Sequence, residues 1–262
     1  MNFEPGTTRF SATNAEALAV AATIAYEASN TPAQRRAEKE LGLDQFFEPF
    51  AHHNFVIDTE GFVAASKQHV ILAFRGTEPG KIKDWATDAF AAPSAFRWFF
   101  ERAPDVGNVH CGFANSLRDS WADSIRKLLK KAGAGTRRTL WITGHSLGGA
   151  LAVLAGGACT YDPDTLLPVN GLYTFGQPRV GLHDFCNNID FKFGRVFYRF
   201  VTIATWSRAC RRVLSITRTP GVSFISTPTA SPTPTVKNIG VFSRALLARS
   251  ARWWPISLTA RN

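Results

Sequence analysis

The residues with the most chemical content are Gly144-His145-Ser146-Leu147-Gly148, continued by Gly149-Ala150. A serine flanked by glycines at this spacing suits a sharp turn from a strand into a helix, because the glycines carry no side chain to collide across the bend. Such a turn pushes the Ser146 hydroxyl out of the sheet. It also aims the first N–H groups of the following helix, Leu147 foremost, at any negative charge that develops beside it. A serine hydroxyl is a weak nucleophile until a base takes its proton, so the motif calls for a histidine and an orienting acid elsewhere in the chain. The competing explanation is a glycine-rich turn with an incidental serine, and the flanking elements decide between the two.

Those elements have the required form. Residues 139–143 form a short apolar strand before the turn, and 147–158 are small and apolar enough for a buried helix. Residues 55–57, 61–65, 69–74, 169–175 and 195–203 read as further strands. In 69–74 the apolar positions are consecutive, as in a strand covered on both faces. Residues 15–28 read as an amphipathic helix capped by Asn14 or Thr13. Leu117, Trp121, Ile125, Leu128 and Leu129 give residues 113–132 helical spacing. Strands alternating with helices predict an α/β class, with a mostly parallel sheet flanked by helices.

Composition narrows the field. The chain has 262 residues, 45% apolar and 19% charged, which is too apolar for a disordered chain and enough for one sizeable core. The net charge is +10, but it is unevenly placed. Residues 191–262 hold 12 Lys and Arg and no Asp, Glu or His, so the first 190 hold the other 18 basic residues and all 20 acids, a balance of −2 against +12. The first part therefore has the composition of an ordinary soluble domain. The tail lacks the aromatic and basic interleaving of a nucleic-acid module, so no nucleic-acid partner is expected. Cys111, Cys159, Cys186 and Cys210 are widely spaced, which fits neither a zinc site nor a disulfide scaffold. With no secretory leader or membrane-spanning run in the sequence, a cytoplasmic protein is expected.

A wider set of motifs accompanies the turn. They are Ala73-Phe74-Arg75-Gly76-Thr77-Glu78, Asp84-Trp85 with Thr87-Asp88, Val109-His110 with Gly112-Phe113, residues 172–181 (Leu-Tyr-Thr-Phe-Gly-Gln-Pro-Arg-Val-Gly), and Tyr198-Arg199-Phe200-Val201. Together with the turn they resemble the class 3 lipases, the fungal-lipase-type branch of the α/β-hydrolases, over about residues 50–201. The resemblance implies an ester hydrolase acting on acylglycerols or other esters, without metal or cofactor. Ser146 would be the nucleophile, and the backbone N–H groups of Leu147 and Thr77 would form the oxyanion hole. Arg75, Asp84, His110 and His183 would be structural, and His145 would face the wrong side of the turn to be the base. Residues 79–105 lie where the family places its lid. Phe90, Phe96, Trp98, Phe99 and Phe100 there fit either an amphipathic flap that touches a lipid surface or a cover over the core.

The resemblance stops near Val201. The family's triad Asp is expected a few residues later, where Thr205 stands, and no histidine follows His183. The triad acid and base are therefore unassigned. The domain organisation read from the sequence is a hydrolase-like domain over 1–201 and a basic, atypical, poorly ordered tail over 202–262. A shift of reading frame would explain the change. Suitable codons for residues 202–211, read from the third base, yield Asp, Val, Arg and Pro in the family's register. The alternative function is a lipase-like chain that lacks effective turnover. Residues 227–235 read as a linker, and 244–254 have the spacing of a basic amphipathic helix.

Overall fold

The computed structural model describes residues 2–28, 31–53, 58–77, 93–165, 167–201 and 223–225. The chain begins with α1 (Ala12–Ile24), a short 3₁₀ turn (Ala25–Glu27) and α2 (Thr31–Leu41), then β1 (Phe46–His52), β2 (Thr59–Ala65) and β3 (His69–Phe74). A small ribbon follows, β4 (Pro93–Ala95) with β5 (Asn108–His110), bracketing a 3₁₀ turn at Phe96–Trp98. A long helix comes next, formed by α3 (Cys111–Ser120), a π turn at Trp121–Ile125 and α4 (Arg126–Gly133). The remainder is β6 (Thr139–His145), α5 (Leu147–Tyr161), β7 (Val169–Phe175), α6 (His183–Phe193), β8 (Phe197–Val201) and β9 (Ser223–Ile225).

The main sheet has the order β1-β2-β3-β6-β7-β8-β9. Its centre, β3-β6-β7-β8, is parallel, while β1, β2 and β9 pair antiparallel at the two sides. The period of two along a strand sorts side chains between two cores. Val70, Leu72 and Phe74 face α3, α5 and α6 with Leu140, Ile142 and Leu172. Ile71 and Ala73 face α1 and α2 with Trp141 and Tyr173. Both faces of β3 are thus buried, as its unbroken apolar run predicts.

Several elements differ from the sequence reading. Helix α1 starts earlier and is capped by Ser11, whose hydroxyl accepts the Asn14 N–H at 3.2 Å. It is not amphipathic. Leu18, Ala19, Val20, Ala21 and Ala22 are all buried, because small side chains let the helix sink between the sheet and α2. Asn14, expected as a cap, is itself buried and exchanges hydrogen bonds with the Glu4 backbone. The long helix over 113–132 is broken into α3 and α4 by the π turn. Elements α2, β1 and α6 add to the predicted set. Only Ala33, Ala37 and Leu41 of α2 are buried, and only Phe185, Ile189 and Phe193 of α6, stripes too narrow to stand out. Strand β1 contains Pro49, which suits an edge strand since it offers no N–H. The strand expected at 55–57 and the segments 227–235 and 244–254 lie outside the described residues.

Aromatics in the expected lid divide between its two readings. Phe96, Phe99 and Phe100 are buried in the main core, with Phe96 stacked on Phe100 at 4.5 Å and tilted against Phe185 at 5.3 Å. Trp98 is 66% exposed. Phe90 lies outside the described residues. Arg102 ties the same segment to Asp162 and Asp164 beyond α5, at 3.1 and 3.0 Å. Residues 96–103 are therefore part of the packed body.

Candidate active site

Ser146 stands between β6 and α5 with φ 53° and ψ −123°, the one non-glycine residue with positive φ among the described residues. Such a conformation costs on the order of 1–3 kcal/mol and persists only where neighbours over-determine it. They do so here. The Ser146 N–H donates to the Phe175 carbonyl of β7 at 2.8 Å, and the Gly149 N–H turns back to the Ser146 carbonyl at 3.0 Å. A Cβ on Gly144 would lie 2.2 Å from the Gly148 carbonyl oxygen, and one on Gly148 would lie 2.4 Å from that of Phe74. The two glycines let strand, turn and helix close on one another, as the motif requires.

The end of β3 meets the same turn. A Cβ on Gly76 would sit 2.3 Å from the His145 carbonyl oxygen and 2.4 Å from the Tyr26 hydroxyl. The backbone at Gly76 is thus pressed against the elbow, and Thr77, half-buried, follows it directly. Leu147 is buried and is the first residue of α5, so its N–H belongs to the first-turn donors that have no acceptor within the helix. The structure therefore brings Ser146, Leu147 and the Gly76-Thr77 backbone together. Thr205 lies outside the described residues.

The charges nearby are arranged to stay put. Arg75 pairs with Glu60 of β2, and its N–H also donates to the Glu60 carbonyl at 2.8 Å. The His145 ring is hydrogen-bonded to the Tyr26 hydroxyl, 2.8 Å from Nδ1. Burial lowers its pKa to about 4, so it is neutral at pH 7. Burial likewise pushes the Tyr26 phenol up to about 12. On the other flank, Thr174 donates to the Gln177 side chain at 2.6 Å and Arg199 to the Gln177 carbonyl at 2.8 Å, fixing the loop after β7 against Gly149.

The other described histidines have their own surroundings. His110 caps α3 and stacks on Phe113 at 4.0 Å. His183 is exposed beside Asn187 at 2.9 Å. His69 hydrogen-bonds Ser66 at 2.8 Å under the Phe3 ring. His53, Asp58 and Glu60 bring ligand-type atoms within 4.8 Å of one another, yet they are mostly exposed and Glu60 already serves Arg75. Sequence reasoning missed Tyr26 and Glu60. Each stands in a stretch without a motif, and only the fold carries them to the elbow.

The family model for class 3 lipases matches residues 71–204, just over half the chain. A triacylglycerol lipase OBL1 of Arabidopsis thaliana is 27% identical over 183 residues, covering 54% of this chain and 34% of that protein. A lipase of Rhizomucor miehei is 31% identical over 139 residues, covering 51% and 36%. The chain thus spans about a third of the length of these curated relatives. Among solved structures, the lipase of Rhizopus microsporus var. chinensis superposes with a TM-score of 0.63 at 24% identity, over 86% of this chain and 82% of that one. Lipase II of Rhizopus niveus gives 0.56 at 26%, over 72% and 70%. The solved structures share the α/β-hydrolase architecture and the family model spans the segment that holds the elbow: the chain belongs to the class 3 lipase family.

Proposed function

We propose that the chain is built as a serine hydrolase of carboxylic esters, with acylglycerols as its substrate class. The observation that carries this is Ser146 held at φ 53° at the mouth of β6, directly before the N-terminus of α5. A serine strained in this way, with donors converging on it, has a chemical use and no evident structural one. The relatives' names, triacylglycerol lipase among them, support the substrate class.

In the proposed reaction the Ser146 oxygen attacks the ester carbonyl as a base removes its proton. The carbonyl oxygen takes up the charge and is met by the N–H groups of Leu147 and Thr77. Collapse expels the alcohol, which receives the proton, and leaves an acyl-serine. Water then attacks this ester and releases the acid. The exposed Trp98 supports contact with a lipid surface. The free thiols of Cys111 and Cys159 support a reducing compartment.

The test is hydrolysis of p-nitrophenyl butyrate by the purified chain beside Ser146→Ala. Turnover that vanishes in the variant supports the reading, and equal rates reject it for this chain.

A second reading has its own observation: after Asp190 the chain carries no Asp, Glu or His. On this reading the lipase scaffold is present without the acid and base of its triad, and residues 202–262 derive from a shifted frame. Loss of triad groups lowers kcat by several orders of magnitude while leaving some rate from the oxyanion site. The codons after Val201 decide it. A second frame encoding Asp and His in register supports the reading, and codons that cannot do so end it.

A further inference from the structure

Tyr26 comes from the 3₁₀ turn after α1, outside the segment that matches the family model, and its phenol lies between two parts of the elbow. Its oxygen receives the Gly76 N–H and stands 2.8 Å from Nδ1 of His145. The phenol can donate and accept, so its bond to Nδ1 holds the ring in either tautomer.

We propose that Tyr26 is a positioning residue for the oxyanion site, locking the Gly76-Thr77 backbone to the elbow through Gly76 N–H and His145 Nδ1. This rests on the hydrolase reading. The Gly76 backbone is held from two directions, since the His145 carbonyl lies 2.3 Å and the Tyr26 hydroxyl 2.4 Å from where a Cβ would be. The preceding residue is held as well, Arg75 by the Glu60 carboxylate and carbonyl. The Thr77 N–H hangs from this fixed stretch. A donor that serves a developing oxyanion gains its advantage from being in place before the charge appears. Removing the Tyr26 hydroxyl takes away the acceptor of Gly76 N–H and the hydrogen bond to His145 in one step. The transition state, which carries more charge on oxygen than the bound ester, suffers more than binding does.

The experiment compares the full chain, Tyr26→Phe and Ser146→Ala. It measures kcat and KM on p-nitrophenyl butyrate, amide hydrogen exchange at Gly76 and Thr77, and the ¹⁵N shifts of the His145 ring. Complete loss of an oxyanion donor costs about 10²–10³ in kcat, and a donor kept but released should cost about tenfold. The expected result for Tyr26→Phe is that loss in kcat, KM within about twofold, faster exchange at Gly76, and a changed His145 tautomer balance. Unchanged kcat with unchanged exchange overturns the proposal. If the unmodified chain is no faster than Ser146→Ala, the hydrolase reading fails for this chain. The lock is then judged on exchange and magnetic resonance alone: faster exchange at Gly76 and changed His145 ring ¹⁵N shifts in Tyr26→Phe uphold it, and their absence rejects it.

Discussion

Two glycines of the same helix should respond to alanine with opposite signs. In α5, a Cβ on Gly148 would fall 2.4 Å from the Phe74 oxygen and 2.8 Å from the Arg75 oxygen. Both are backbone atoms of the central strand's end, so neither can rotate away. Relief requires α5 to withdraw from β3 by about an ångström, and an overpacked core position of this kind costs about 3 kcal/mol. Eight residues further on, a Cβ on Gly156 would meet Leu172 Cδ2 at 3.5 Å and Phe193 at 3.7 Å, which is ordinary contact. There alanine fits, and lower backbone entropy in the unfolded chain stabilises by roughly 0.5–1 kcal/mol. The two variants should therefore differ by about 4 kcal/mol, or roughly 8–16 °C in Tm for a chain of this size. Thermal unfolding followed by far-ultraviolet circular dichroism measures this directly. If Gly148→Ala melts within a degree or two of Gly156→Ala, the helix is not seated on β3 as closely as described. The account of how the elbow is over-determined would then be wrong.

Ser146→Gly should abolish turnover while raising stability by about 1 kcal/mol, since glycine takes φ 53° without strain; a melt no higher than that of Ser146→Ala would contradict the strain. Acidification should destabilise the fold between pH 6.5 and 4. His69 is buried and its pKa is lowered to about 4, first by burial and then by Arg138. In that window the unfolded chain binds a proton at His69 that the folded chain refuses, so the His69 contribution to stability falls with pH by up to about 3 kcal/mol and levels off below 4. Denaturant melts of the chain and of His69→Gln at successive pH values check the slope, which should be shallower in the variant. Asp162→Ala should cost about 2–3 kcal/mol, because the buried carboxylate accepts from Trp121 Nε1 at 3.1 Å and from Arg102 at 3.1 Å. Asp164→Ala, at a more exposed carboxylate, should cost less than about 1 kcal/mol.

What was legible in the sequence was what steric necessity writes locally. Gly144, Ser146 and Gly148 spell out a turn because a side chain at either glycine would strike backbone within a few residues or one strand away. The run at 69–74 shows a strand buried on both faces because no polar residue interrupts it after His69. What was illegible depends on partners far apart in the chain. In α1 the alanine-rich pattern looks like one apolar stripe, and only the packing of α2 on its other side turns that stripe into burial all round. Phe96, Phe99 and Phe100 could equally line a flap or fill a core. The aromatic neighbours Phe185 and Trp121, and the tether from Arg102 to Asp162, decide for the core.

The same contrast bears on the tail. Through Val201 the sheet, the elbow and both cores agree with one another at every level, from strand period to glycine placement. After Val201 the residue types that a hydrolase needs are missing from the sequence itself, with Thr205 in place of the expected aspartate and no histidine after His183. Among the described residues, the histidine beside the serine is not placed to act as the base. His145, the ring nearest in sequence to Ser146, is turned to Tyr26 and held neutral with a pKa near 4, too weakly basic to take a serine's proton well at neutral pH. The one strand described in the tail, β9, pairs its backbone with β8 at Phe200 and Phe224. Backbone pairing extends a sheet with little regard to side-chain type, so β9 says nothing for a selected sequence there. An elbow held in strain by its neighbours and a tail without acid or base are the two facts that the codons after Val201 must reconcile.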